Sequence, residues 1–281
     1  RERLGDVLGV ARSSNNLGIL KRDGGDWQGA LQTYLRCLEA MRTIGDIEGE
    51  AMTLTNMGGV YTDLGEWVKA EQCLRRSYDL AQHIANTYER AQANMNLGRL
   101  FLRKGELDHA ETFVDTAISL YAQVGVSANP NVIDAYWLRG MLHLEQGNIE
   151  DAAEWSERNY TVLREGTGDE DGESPEWGRY HQLVGRLTLM RGQVEQAVQH
   201  FERAKVIFSA NRSPAEIART GYWCAQAWLR ADEIARARKE LVEAAEIFNS
   251  LGASADLVRT TQFLNGLDKA ITASHTRGGS L

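Results

Sequence analysis

The sequence is short of prolines, cysteines and long apolar runs, and each shortage excludes a class of protein. The 281 residues include three prolines and three cysteines, and the cysteines, Cys37, Cys73 and Cys224, lie far apart without a CxxC motif. This pattern indicates neither a disulfide framework nor a zinc site, so we expect a reducing, cytoplasmic location. No apolar run approaches the ~18–20 residues needed to span a membrane. The polar start of the chain lacks a secretory h-region.

Positive charge and catalytic motifs are also scarce. The formal net charge is −8, whereas nonspecific nucleic-acid binding requires a basic surface. The sequence contains no HExxH, GxSxG, Walker A or GxGxxG motif, and its six histidines do not fall at metal-ligand spacing on one helix. We therefore expect a protein that is not an enzyme and that has no cofactor and no metal.

What the sequence does contain is an internal repeat. The pattern first occurs as Asn16-Leu17-Gly18, followed by Gly25 and Ala30, and it recurs at residues 56–58 and 96–98 with the same spacing. Three further units follow the same spacing, with first markers at Gly140, Gly185 and Ala225. Successive first markers are 40 to 45 residues apart. A fixed period of this size predicts a stacked array of supersecondary units.

Each unit is expected to be a pair of helices. Apolar residues recur at helical spacing, without the alternation typical of strands. The second glycine suits the left-handed residue that ends a helix, and the first glycine and the alanine are small enough for close helix packing. We therefore predict an all-α fold, a right-handed superhelical solenoid of antiparallel helix pairs with about six repeats and a C-terminal capping helix.

Unit two carries the clearest family resemblance. Its Leu54, Gly58, Tyr61 and Ala70 match the signature of the tetratricopeptide repeat, which the chain resembles over nearly its whole length. The period of about 40 residues exceeds the usual ~34. This longer form is similar to Partner-of-Inscuteable and kinesin-light-chain repeats, and to repeat arrays attached to bacterial signalling ATPases and transcriptional activators. The resemblance implies a solenoid that binds a partner.

The marker spacing also predicts boundaries. Gly5-Asp6 aligns with Gly45-Asp46, so we interpret the start of the chain as the end of an earlier unit. In chain order we expect the tail of a preceding repeat at 1–6, repeats at 7–45, 46–85, 86–126 and 127–168, an acidic insertion loop at 169–176, repeats at 177–212 and 213–252, a capping helix at 253–273 and a disordered tail at 274–281. Arg139 falls on a core position of repeat 4, so two registers stay open there.

The acidic insertion does not fit a calcium loop. Gly172 is not at the sixth position of such a loop, and Tyr180 stands where the twelfth-position glutamate belongs. A solvated acidic loop is the better interpretation.

Ligand-binding residues are expected on the first helix of each pair. At about 100° per residue, positions opposite the core face line the concave groove of the solenoid. The candidate groove residues are Arg12, Asn16, Asn56, Asp63, Asn96, Arg99, Arg103, Trp137, Arg186, Arg219, Tyr222 and Gln226. Arginine can hold a carboxylate bidentately, and asparagine can both donate to and accept from a peptide backbone. Two other interpretations stay open, namely solvated arginines and an asparagine ladder between adjacent helices.

The leading functional hypothesis is a non-catalytic scaffold or sensor module of a larger bacterial signalling or regulatory protein. It would bind an acidic segment of a protein or peptide in the groove, with no nucleic acid and no membrane involved. One alternative is a small-molecule effector-sensing domain of a regulatory ATPase or transcription factor. Another is a structural or oligomerisation spacer, so homo-oligomerisation also stays open.

Overall fold

The computed structural model describes residues 7–125, 129–166 and 172–278. Within these ranges the chain forms thirteen α-helices and no β-strand. Their bounds are α1 Val7–Asp23, α2 Trp27–Ile44, α3 Ile47–Leu64, α4 Trp67–His83, α5 Thr87–Lys104, α6 Leu107–Gln123, α7 Pro130–Gln146, α8 Ile149–Gly166, α9 Pro175–Met190, α10 Val194–Ala210, α11 Pro214–Arg230, α12 Ile234–Leu251 and α13 Ser254–Gly278.

The helices stack as a continuous array of pairs. Each odd-numbered helix from α1 to α11 packs on the even-numbered helix that follows it, and α13 packs on α12. Odd-numbered helices also contact one another, as α3 does α5 and α5 does α7, so they form the inner layer. This arrangement confirms the all-α superhelical solenoid of six helix pairs and a C-terminal helix.

The ends and the insertion differ in detail from the predicted boundaries. α13 continues to Gly278, past the start of the tail expected at residue 274. α9 begins at Pro175, inside the expected insertion loop. Residues 1–6, 167–171 and 279–281, on which parts of these predictions fall, lie outside the described residues.

The turn inside each pair depends on a left-handed residue. Gly65 ends α3 with φ of 80°, and its backbone N–H donates to the Thr62 carbonyl, 3.2 Å away. Repeat 6 has Asp232 at the same place, with φ of 61°; aspartate tolerates this region better than most residues do. The prediction that the second glycine of a repeat is the left-handed residue that ends its first helix is confirmed.

The first marker of a repeat is a close-packing position. A Cβ atom at Gly98 would lie 2.5 Å from Val114 Cγ2 and 3.4 Å from the Ala110 carbonyl oxygen. The helices α5 and α6 could not approach this closely with a larger residue there. The equivalent Gly140 instead faces Leu183 on α9, so repeat 4 uses this position against the next repeat.

A buried polar side chain joins the first helix pair to the second. The Cys37 thiol on α2 donates to the Ala11 carbonyl on α1 at 3.2 Å, and its sulfur lies 3.3 Å from Thr53 Oγ1 on α3. Burial raises the pKa of this thiol, as expected for a cysteine in the core. Cys37 therefore marks the point where one second helix touches two first helices.

None of the helices in the described part of the chain is long and apolar enough to cross a lipid bilayer.

Candidate functional site

The inner layer of helices encloses a cavity of about 190 Å³. Helices α3, α5, α7, α9 and α11 contribute to its wall, together with Trp67 at the start of α4 and the start of α13. Its charged and aromatic lining comprises six arginines, four acidic residues and three tryptophans: Arg99, Arg103, Arg179, Arg186, Arg219 and Arg259; Asp63, Glu145, Glu216 and Asp256; Trp67, Trp137 and Trp223.

The cavity is closed on one side, because the two ends of the superhelix meet there. Ser254 at the start of α13 donates its hydroxyl to the Leu64 carbonyl at the end of α3, 2.7 Å away and 190 residues earlier in the chain. A Cβ at Gly25 would lie 2.7 Å from Leu251 and 3.0 Å from Pro214. Repeats 1 and 2 therefore touch repeat 6 and the terminal helix, and we call this the closure contact.

Four charged side chains form the polar part of the closure contact, which we call the closure network. Arg103 on α5 lies 3.4 Å from Asp63 and 2.7 Å from Asp256. Arg219 on α11 lies 2.7 Å from Asp63 and 3.3 Å from Asp256. Each arginine thus contacts both carboxylates, and the network joins α3, α5, α11 and α13.

Burial and mutual pairing oppose each other in the closure network. Burial by itself would raise the pKa of Asp256, but Arg103, Arg219 and Arg259 outweigh it and lower that pKa to about 2. Burial also acts to lower the pKa of Arg219, yet Asp63, Glu216 and Asp256 raise it well above its ordinary value. Asp256 and Arg219 therefore stay ionised throughout the neutral range.

A second buried charge cluster lies further along the wall. The Arg179 side chain lies 2.7 Å from Asp134 and 2.9 Å from Glu176, and Arg99 lies 3.2 Å from the same Asp134. Burial and Asp134 act in opposite directions on Arg179, and the net effect raises its pKa. These contacts bind α5, α7 and α9 together.

Arg186 has a different environment from the arginines of the closure network. Its guanidinium lies 2.8 Å from Glu145 and 5.1 Å from the centre of the Trp223 ring. The Glu145 side chain is 44% exposed, whereas that of Asp256 is 5% exposed. The carboxylate partner of Arg186 can therefore turn towards water, which a buried partner cannot do at low cost.

Every arginine of the lining has a carboxylate partner in the chain itself. The partners are Asp63, Glu145, Glu216 and Asp256 in the wall, and Asp134 and Glu176 behind it. Six arginines thus face six carboxylates, and the cavity is close to neutral as a whole.

Comparison with known proteins is consistent with this architecture. A family model described as tetratricopeptide repeat matches residues 9–83, 49–123 and 89–165, which together span more than half of the chain. The chain belongs to the tetratricopeptide repeat family. No curated protein sequence matches it.

Solved tetratricopeptide-like structures resemble the chain at low sequence identity. The apo form of RapI has a TM-score of 0.66 at 12% identity, covering 88% of this chain and 87% of that chain. The Rap conjugation gene regulator of plasmid pLS20, in complex with the Phr* peptide, has a TM-score of 0.65 at 16% identity, covering 98% and 77%. A putative kinesin light chain from Podosopora anserina has a TM-score of 0.51 at 15% identity, covering 72% and 95%. At these identities the likeness shows the fold.

Six of the twelve groove residues predicted from the sequence lie on the cavity wall. These are Asp63, Arg99, Arg103, Trp137, Arg186 and Arg219. Tyr222 lies on α11 with its ring against Phe263 of α13, and the Arg259 guanidinium lies 4.7 Å from that ring centre. Gln226, one turn further along α11, is half-buried.

The other four residues lie outside the cavity. Arg12 and Asn16 are exposed on α1. Asn56 donates to the side-chain oxygen of Asn15 at 3.0 Å, and Asn96 donates to the backbone of its own helix. The Asn15–Asn56 bond joins α1 to α3, but it does not involve Asn16, and Asn96 bonds within α5. The asparagines Asn16, Asn56 and Asn96 are therefore not joined as a ladder between adjacent helices.

Several wall residues were not selected from the sequence. Asp256 and Arg259 belong to the terminal helix, whose polar residues pattern analysis places in water. Glu216 lies on α11 and lines the cavity where α11 meets α3. No local periodicity signals a contact between residues 153 apart, the separation of Arg103 and Asp256.

One group of side chains in the described residues has metal-ligand geometry. Ligand atoms of Glu202, Cys224 and Glu240 all lie within 4.8 Å of one another. Lys205 already satisfies the two carboxylates, with its ammonium 2.8 Å from Glu202 and 2.7 Å from Glu240. Burial raises the pKa of the Cys224 thiol to about 12, which keeps it protonated and a poor ligand. We interpret this cluster as a structural ion pair.

Proposed function

We propose that this tetratricopeptide array is a non-catalytic binding module that holds the end of a short peptide, or of a flexible protein segment, in its inner cavity. The observation that carries the proposal is the cavity itself, with arginine and tryptophan side chains on successive inner helices. Buried tryptophan and arginine dominate binding energies at protein interfaces. The peptide-bound state named for the pLS20 Rap regulator shows that a protein of this fold can hold a peptide.

The size of the cavity supports a small bound group. Pockets that hold drug-sized ligands have volumes of ~300–1,000 Å³, whereas this cavity has about 190 Å³. With the closure contact formed, it admits a chain end or one to two side chains. A long extended segment would not fit inside, so the rest of the partner would lie along the open part of the groove.

The chemistry of the wall favours an acidic group at Arg186. Arg103 contacts two carboxylates and Arg219 contacts three, in both cases including the buried Asp256, and a ligand would have to replace these contacts. Arg186 has a single carboxylate partner, Glu145, whose side chain is much more exposed than that of Asp256. A ligand carboxylate can take the place of Glu145 and gain a charge-assisted hydrogen bond while Glu145 returns to water.

The test begins with a synthetic library of short random peptides, prepared once with a free C-terminal carboxylate and once amidated. Binding of the selected peptides to the full chain is measured by calorimetry. Arg186→Gln should weaken binding about tenfold or more, a loss of about 1.4 kcal/mol or above. Glu145→Gln should strengthen it several-fold, because the competing carboxylate is gone.

Arg191→Gln is the matched control. Arg191 follows α9 and pairs with Glu150, whose side chain is 90% exposed, so it lies outside the cavity. This variant should bind like the wild type. A library without binders, or binders that respond to Arg191→Gln and not to Arg186→Gln, would contradict the proposal.

The volume also suits a second candidate, a small organic acid sensed by the same wall. Dicarboxylic acids tested in the same calorimeter separate the two: binding of free acids without binding of peptides would replace the peptide by an effector.

A bacterial signalling context and a cytoplasmic location belong to this proposal, the latter because the three cysteines are unpaired thiols.

A further inference from the structure

The first helix presents an apolar face that nothing in the described chain covers. On α1, Leu17 is 45% exposed and Leu20 is 70% exposed. Ser13, one turn earlier on the same side, is also exposed. Single exposed leucines are ordinary in folded proteins, but later repeats of this chain bury the residues at the same positions.

The equivalent positions are buried in later repeats. Residues that match Leu17 in repeats 2 and 3 are Met57 and Leu97, at 4% and 2% exposure. The residues that match Leu20 in repeats 2 to 6 are between 0% and 5% exposed: Val60, Leu100, Leu142, Leu187 and Ala227. The position of Leu20 is therefore a core position in every later repeat, and the position of Leu17 is a core position in repeats 2 and 3.

The preceding second helix is what covers these positions. Val60 on α3 belongs to one hydrophobic core with Leu31 and Leu38 of α2. Thr53, the equivalent of Ser13, lies 3.3 Å from the sulfur of Cys37 on α2. A small residue thus meets position 13 of a repeat, and the residues at positions 17 and 20 share a core with leucines of the preceding second helix.

The opposite end of the array is built differently. On α13 the exposed positions include Gln262, Asn265 and Lys269, a polar outer surface of the kind that terminates a solenoid. α1 carries leucines where a terminal helix would carry polar residues. The sequence also places Gly5-Asp6 before α1 as Gly45-Asp46 stands before α3, which is the join between a second helix and the next first helix.

We propose that this face of α1 is a stacking surface for the second helix of another tetratricopeptide-type unit on its N-terminal side. The partner helix presents a small residue to Ser13 and leucines to Leu17 and Leu20, as α2 does to α3. The face continues an interface that the chain already forms between its own repeats, and this inference does not depend on what the cavity binds.

A tandem variant tests the inference on the full chain. A second copy of residues 7–45 is placed directly before residue 6, so that the copied second helix precedes α1 as α2 precedes α3. Hydrogen exchange of the α1 amides should become roughly tenfold slower or more, since local opening then requires loss of the new interface. The melting temperature should rise by at least ~2–4 °C.

The same tandem carrying Leu17→Asp and Leu20→Asp in the original α1 is the matched control. It should show neither the slower exchange nor the higher melting temperature. The double substitution in the untouched chain should leave its melting temperature almost unchanged, because both side chains are already exposed. Equal gains with and without the aspartates, or no gain in either tandem, would overturn the inference.

Light scattering of the untouched chain distinguishes a second copy from another repeat. We expect a monomer, or an oligomer that the double substitution does not alter. A dimer that dissociates on Leu17→Asp and Leu20→Asp would show that the face binds a second copy of the chain, and would overturn the proposal.

Discussion

Asp256→Asn should destabilise this protein strongly, although Asp256 lies near the end of the chain. Its carboxylate is shared by three arginines, at 2.7 Å from Arg103, 3.3 Å from Arg219 and 3.1 Å from Arg259. Its side chain is only 5% exposed. The substitution keeps the shape and removes the charge, so it isolates the electrostatic part of the closure contact.

The magnitude follows from two independent considerations. Removal of one partner from a buried ion pair costs ~3–5 kcal/mol, because it leaves the other charge unpaired. In Asp256→Asn, Arg103 and Arg219 still pair with Asp63, and the oxygen of the new amide can still accept a hydrogen bond. The cost should therefore fall near or below the lower end of this range. The lowering of the Asp256 pKa from 3.8 to about 2 gives about 2 kcal/mol, at about 1.4 kcal/mol per pH unit.

Two measurements check the result. The melting temperature should fall by about 4–8 °C for a loss of about 2 kcal/mol, and small-angle scattering should show a larger radius of gyration as the ends separate. Asp268→Asn on the same helix is the control, because Asp268 and its partner Arg238 are both well exposed and exposed pairs contribute little. Equal effects of the two substitutions would refute the role of the closure network.

The pH dependence gives a further check on Asp256. A carboxylate with a lowered folded-state pKa stabilises the fold above its ordinary pKa, and this stabilisation is lost as the pH falls towards the folded value. The stability difference between the wild type and Asp256→Asn should therefore be constant above about pH 4 and shrink between pH 4 and pH 2. A difference that stays constant to pH 2 would assign it to something other than the charge.

Three other outcomes are expected. Gly98→Ala should destabilise the protein by about 1–3 kcal/mol through overpacking, whereas Gly266→Ala, where a Cβ meets open space, should stabilise it by up to about 1 kcal/mol; thermal melts of both variants test the repeat register. Burial raises the pKa of Glu89 to about 7, so the wild type loses stability as the pH rises from 4.5 to 7. Glu89→Gln should therefore stabilise the chain by roughly 2 kcal/mol more at pH 8 than at pH 5. Burial and the facing His200 lower the pKa of His181 to about 4. The wild type therefore loses stability at this residue as the pH falls from 6.5 to 4, whereas Glu89 reduces stability as the pH rises. Between pH 7 and pH 5, His181→Gln should therefore lose about 2 kcal/mol less free energy of unfolding than the wild type, as measured by urea unfolding of both proteins.

The fold could be predicted from the sequence because the packing contacts of each repeat require particular residues at fixed positions of that repeat. Gly58 and Gly98 recur at a fixed spacing since each must let one helix approach the next, and this contact lies within a single unit. The turn residue Gly65 follows from the same local requirement. Contacts inside a unit and between neighbouring units leave a periodic signal, which is what pattern analysis detects.

The candidate site could be predicted only in part. Helical spacing identified Arg99, Arg103, Arg186 and Arg219 as residues of the concave side, and the cavity includes all four. It identified Asp63 as a groove residue but not Asp256, because Asp256 reaches Arg103 only through the accumulated curvature of the whole array. A sum of small rotations per repeat decides whether the ends meet, and no single unit encodes that sum.

The closure contact therefore decides which arginines remain available to a ligand. A carboxylate ligand at Arg219 would compete with Asp63 and Asp256, which hold the ends of the superhelix together. Because linkage is reciprocal, such a ligand would favour loss of the closure contact by the same free energy by which loss of the closure contact favours binding of the ligand. A ligand at Arg186 displaces only the exposed Glu145 and leaves the ring closed. The two modes differ in one measurable respect, since binding at Arg219 would expand the molecule in solution scattering and binding at Arg186 would not.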